Sequence, residues 1–277
     1  MKKYTALQLI ILLFVFAEAQ AQQHQLIKKW QTDTLLKVPE SVYLDAANKV
    51  LYVSNIDGAP DGKDGKGSIG KVGLDGKIIS VDWVTGLNAP KGMGLFQDKL
   101  YVADLDAVGV IDIKAGKLLK RIPVEGSTFL NDITIDKKGI VYVSDTRIKK
   151  VYKIENETAS VFVDNLQGPN GLLSNNDDFY ILDNGSMFKL EKDKKLTKIA
   201  DGMLAQTDGL ENVKGNEFIV SCWPGVIYYI NADGTKEQLL DTRPQTSNTA
   251  DIAFDAKNRI LYVPTFFKNS IVAYELK

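Results

Sequence analysis

Apolar residues fall in short runs rich in Val, Ile, Leu and Tyr, separated by Asp-Gly, Asn-Gly and Lys-Gly turns. Helical spacing is scarce, so the pattern predicts an all-β protein. The runs also repeat. Six segments share one frame: a turn, an apolar strand, a polar break, and a second apolar strand ending in a small or acidic residue. Pro39 to Leu44 leads to Val50 to Asn55, Pro90 to Met93 to Lys99 to Asp104, and Leu130 to Ile133 to Ile140 to Asp145. Pro169 to Leu172 leads to Phe179 to Asp183, Thr207 to Leu210 to Glu217 to Ser221, and Thr249 to Ile252 to Arg259 to Pro264.

The second residues of the frames are Glu40, Lys91, Asn131, Asn170, Asp208 and Ala250, at spacings of 51, 40, 39, 38 and 42 residues. A period near 40 built from strands predicts a β-propeller with about four strands per blade, and six frames predict six blades. After the sixth frame only Ser270 to Leu276 remains, one strand short of a blade. Leu26 to Trp30 or Leu35 to Val38 can supply that strand and close the ring, which leaves no sheet edge open.

Residues 1–21 lie outside this pattern. Lys2 and Lys3, the apolar run Ala6 to Ala17 and Ala19-Gln20-Ala21 read as a secretory signal. The expectation is an exported, soluble protein, periplasmic or extracellular, with residues 22–277 forming one propeller domain. No later segment reaches the ~20 apolar residues of a membrane-spanning helix.

Charge and composition remove several classes of function. Lys plus Arg is 34 and Asp plus Glu is 35, a net charge of −1, so no basic surface is available for nucleic acid. A single cysteine, Cys222, excludes an intramolecular disulfide and Cys-rich zinc sites; it reads as a buried small hydrophobe. The single histidine, His24, stands at the start of the expected mature chain and excludes any mechanism that needs two imidazoles.

The first strand of each propeller blade lines the central channel, so the frame positions converge although they lie about 40 residues apart. Glu40, Asn131, Asn170 and Asp208 bring four oxygen-bearing side chains to one axis. Such a set suits a hard divalent cation, Ca2+ above all, and two carboxylates would neutralise it. Asp132, Asp251 and Asn248 could contribute or orient ligands. The alternative is that Asn and Asp open these strands as turn residues. Lys91 is repelled by a cation unless it turns outward, and it is a candidate for holding an anionic substrate or product.

In these motifs the chain resembles the senescence-marker-protein/gluconolactonase family of six-bladed, calcium-dependent lactone hydrolases, whose relatives include the paraoxonases. The resemblance rests on Glu40, Asn131-Asp132, Asn170-Gly171-Leu172 and Asp208-Gly209-Leu210, in that order. It implies metal ligation by Glu40, Asn131, Asn170 and Asp208, and a lactone or related ester as small-molecule substrate. Water would attack the carbonyl, with Asp208 as general base. The chain also departs from the family. Phe129 stands where sugar lactonases carry a substrate-binding Arg, Glu40-Ser41-Val42 replaces Glu-Gly-Pro, and Ala250 to Phe254 replaces a Phe-Gly-Gly signature. Strand ends such as Tyr-Val-Ala-Asp and Tyr-Val-Ser-Asp resemble NHL-repeat propellers. They imply the alternative of a non-catalytic propeller binding a protein or glycan.

Two further segments bear on the site. Asp57 to Gly67, with Asp57, Asp61 and Asp64, lacks the spacing of an EF-hand and reads as a solvated loop or as a lid over the channel mouth. Trp223 reads as blade packing or as an aromatic wall of the substrate pocket.

Overall fold

In a computed structural model the described residues are 24–277, so the expected signal segment, residues 1–21, lies outside them. Six four-stranded antiparallel sheets form the blades of a ring. Blades one to five each use four consecutive strands, as in Pro39–Asp45, Val50–Asn55, Gly67–Gly73 and Ile78–Leu87 of blade one. Blade six joins Ala253–Asp255, Ile260–Pro264 and Ile271–Leu276 to the N-terminal strand Leu26–Gln31. Of the two closing segments expected, Leu26 to Trp30 does the work, with Leu26 opposite Leu276 and Gln31 opposite Val272. Among the described residues no helix is long and apolar enough to cross a membrane.

The core lies between blades. Six apolar clusters each draw on two neighbouring blades, and alternate residues of one strand serve the two sides. Leu51 and Val53 face blade six, whereas Val50 and Tyr52 face blade two. With both faces covered, second strands read as unbroken apolar runs, which is how the repeat became visible. A seventh cluster belongs to no blade pair: Ile56, Ala89, Leu105, Ala250 and Phe266 pack at the channel mouth.

Candidate functional site

In blades one to five the first strand breaks register at its frame. Pairing lapses between Pro39 and Ser41, Pro90 and Met93, Leu130 and Ile133, Pro169 and Leu172, and Thr207 and Leu210. Such bulges re-aim side chains, and here they free the frame residues for the channel. In blade six the inner strand is held laterally, with Asp251 N–H donating to the Glu40 carbonyl at 3.0 Å.

The acidic strand ends fix this geometry. The Asp104 carboxylate accepts from Asn88 and Ala89 N–H, and that of Asp183 from Gln167 and Gly168 N–H. Asp145 accepts from Thr128, Phe129, Arg147 and Ile148 N–H at 2.8–3.1 Å. Each carboxylate therefore holds the turn entering its blade's frame. The NHL-like endings are structural brackets in this protein. Asp145→Asn should lower stability by about 2 kcal/mol, because the fully buried side chain would trade an oxygen that serves two backbone amides for an N–H group facing those donors; chemical denaturation measures this directly.

A cavity of about 390 Å³ opens at the mouth, and all seven candidate residues line it: Glu40, Lys91, Phe129, Asn131, Asn170, Asp208 and Trp223. Glu40 and Asp208 are buried, at 5% and 2% exposure. Asn170 donates its amide to Asp208 Oδ1 at 2.8 Å, and Asn131 donates its amide to Thr146 Oγ1 at 3.0 Å. Both carboxamides thus commit nitrogen to the protein and keep oxygen available for a ligand. Glu40 Oε2 and Asn170 Oδ1 are buried without any partner, a costly state for oxygens shielded from water. Among the described residues no three or more His, Cys, Asp or Glu side chains gather in a metal-holding group. The column's donor set is two carboxylates and two carboxamides, all oxygen, and its orphaned atoms fit a hard cation.

Burial, reinforced by Asp208, holds the Glu40 carboxyl well above the usual carboxylate range, with Lys91 opposing. Burial and the charge of Asp251 do the same for Asp208. The next frame residues are Ser41, Gly92, Asp132, Gly171, Gly209 and Asp251. Here Asp132 accepts from Ile133 and Leu172 N–H, and Asp251 accepts from the Ser41 hydroxyl. Neither lines the cavity, so both act on the column through backbone and charge. Burial pushes Asp251 up to about 7. Asn248, expected near the column, instead donates to the Trp223 carbonyl.

Lys91 is only 1% exposed, and the hydrogen bonds of its ammonium go to backbone, not to the column's oxygens. Its ammonium donates to the carbonyls of Pro60 and Ala89 at 2.8 and 2.9 Å and lies 4.6 Å from the Phe129 ring centre. Pro60 belongs to the long loop, which does reach over the mouth. Arg147 pairs with Asp61, Lys63 with Asp106 and Lys37 with Asp57, tying the loop to its surroundings. Asp57, Asp61 and Asp64 contact separate partners and form no calcium loop. Trp223 both walls the cavity and packs edge-on against Phe266, their ring centres 5.5 Å apart. Cys222 is fully buried, and burial pushes its thiol up to about 12, which leaves it inert as a nucleophile. His24 stacks on Tyr229 and bonds Glu237, on blade five.

A second converging register escaped the sequence reading. The residues just after the second strands are Ile56, Leu105, Thr146, Asn184 and Trp223, with Phe266 in the matching turn of blade six. All but Leu105 line the cavity. Their spacing, again near 40 residues, was the signal that could have found them.

The fold and the polar column define a six-bladed propeller with an oxygen-lined channel mouth. No family model matches the chain, and no curated protein matches it. Solved structures do. A protein assigned as a gluconolactonase is 16% identical, with TM-score 0.67, over 92% of this chain and 93% of that one. A catalytically inactive virginiamycin B lyase from Staphylococcus aureus, solved with quinupristin, is 13% identical with TM-score 0.64, over 92% and 99%. A chain of a nidogen/laminin complex is 18% identical with TM-score 0.62, over 76% and 82%. At these identities the likeness is one of fold. It agrees with the propeller architecture that the family resemblance implied, and it spans a lyase and a nidogen/laminin complex alike.

Proposed function

We propose that this protein is a metal-dependent hydrolase of a lactone or related ester. The observation that carries the reading is the pair of buried, partnerless oxygens, Glu40 Oε2 and Asn170 Oδ1, in the mouth cavity. Glu40, Asn131, Asn170 and Asp208 would hold a divalent cation, most suitably Ca2+. Such an ion, when bound, would supply Lewis-acid polarisation of a carbonyl. The chain's own part is orientation. Asn170 fixes the Asp208 carboxylate, Thr146 fixes the Asn131 amide, and two backbone carbonyls hold the Lys91 ammonium. Asp208 is the residue we assign to accept a proton from attacking water, since it lies in the cavity wall and is oriented by a neighbour.

The test is proton release from a panel of lactones and aryl esters, using chelated protein and then protein supplied with calcium. Turnover should appear with calcium and vanish with chelator. A protein that hydrolyses nothing in either state would overturn the reading and leave a partner-binding propeller.

A further inference from the structure

The cavity wall is chemically divided. Blades five, six and one contribute Trp223, Phe266 and Ile56 to it, whereas blades three and four contribute Thr146 and Asn184. The apolar sector is continuous with the mouth cluster, against whose flanks Phe129 and Trp223 pack. The column itself lapses on this side, since its blade-six member is Ala250, fully buried. Blade four adds the carboxamides Gln167 and Asn184, while Gln206 borders the aromatic sector, its carbonyl accepting from Trp223 N–H at 2.9 Å.

The aromatic wall is also prebuilt. Phe266 sits at φ +50°, in the left-handed region that a bulky side chain rarely adopts. Its turn is stapled by Thr265 to Ser270 and by Asn269, whose side-chain oxygen accepts from Val38 N–H at 3.0 Å. Strain kept in this way gathers at working surfaces. Phe267, 57% exposed, stands edge-on to Phe266 and Trp223, with ring centres 4.7 and 6.4 Å away.

The nearby cations are already committed. Lys91 serves two carbonyls, and Arg147 pairs with Asp61 while its guanidinium lies 4.7 Å from the Phe129 ring centre. Both already hold partners within the protein, which weakens their pull on a substrate carboxylate.

We infer that the substrate is an uncharged ester or lactone with an aryl or alkyl face, in place of a polyhydroxylated sugar lactone. This rests on the hydrolase reading above. The apolar face would lie on Trp223, Phe266 and Phe129, with Phe267 at the rim. The polar edge of the molecule would face Gln167 and Asn184.

Binding of lactams, which present the ring without a cleavable ester, separates this inference from that reading. With calcium present, calorimetry should show the lactam analogue of dihydrocoumarin binding at least ~10-fold more tightly than gluconolactam, the scale set by burying one aromatic ring. Phe267→Ser removes an exposed side chain and so leaves folding intact. It should weaken the aryl lactam by about threefold, as expected for a lost aromatic contact, and leave gluconolactam unchanged. Trp223→Ala should weaken the aryl lactam further. Aryl-lactam preference without turnover of any lactone would keep the inference about the pocket and discard the hydrolase. Tighter gluconolactam binding, or no binding of either lactam, would overturn the inference whatever the hydrolase assay gives.

Discussion

Asp208→Asn should melt higher than the wild-type protein in chelator, and calcium should raise the melting temperature of the wild type only. In chelator, Glu40 and Asp208 share a buried site with too little countercharge, and removing one carboxylate relieves about 1 kcal/mol or more. The asparagine oxygen can still accept from Asn170, so the local geometry persists. Calcium at a hundredfold excess over Kd would add about 2.7 kcal/mol to the wild type. For a domain of this size that is a rise of about 5–10 °C.

The pH dependence has a definite sign. Carboxyls whose folded values are raised keep protons that the unfolded chain releases. Their contribution to stability is full below about pH 4, the unfolded carboxylate range, and is lost as pH rises through the folded values, about 7 for Asp251. Chelated wild type should therefore lose stability between those limits, and Asp208→Asn should lose less. Scanning calorimetry at several pH values decides. A calcium shift of undiminished size in Asp208→Asn would show that the Asp208 charge takes no part in holding the cation.

The second large effect comes from a methyl group. A Cβ on Gly171 would fall far inside contact distance of the Asp208 backbone oxygen and 2.8 Å from Leu182 Cδ1. Gly209 meets Ile252 N of blade six at 2.5 Å, and Gly92 meets Asp132 of blade three. Inner strands approach so closely that these frames have room only for glycine. Gly171→Ala should cost about 3 kcal/mol, the upper range for overpacking, and should weaken calcium binding by displacing Asp208. The comparison is Gly215→Ala, where no atom lies within 4 Å and only the positive φ resists; about 1 kcal/mol is expected there. Equal losses in the two variants would contradict the close-packed inner ring.

These glycines show what was legible in the chain and what was not. The period near 40 exposed blades and channel column because both are written in residue type at equal spacing. The column's placement in one cavity followed from ring geometry alone. Lys91 was harder: its type said ammonium near carboxylates, but its direction depends on the Pro60 carbonyl, delivered by a loop with no repeat signature. The mouth register from Ile56 to Phe266 was spaced as regularly as the column, yet it mixes Ile, Leu, Thr, Asn, Trp and Phe. Only the folded ring shows that all of them but Leu105 share a wall. The role of the strand-end aspartates was equally hidden, since backbone acceptors look like turn formers in a sequence.

The pairing of Leu26–Gln31 with Ile271–Leu276 has a consequence for biogenesis. Leu26–Gln31 emerges before the other described strands, yet it cannot pair until Ile271–Leu276 has been made. Until then blade six lacks its outer member and the partial ring keeps unmatched edges. A chain cut before Ile271 could build the early blades but could not latch the ring.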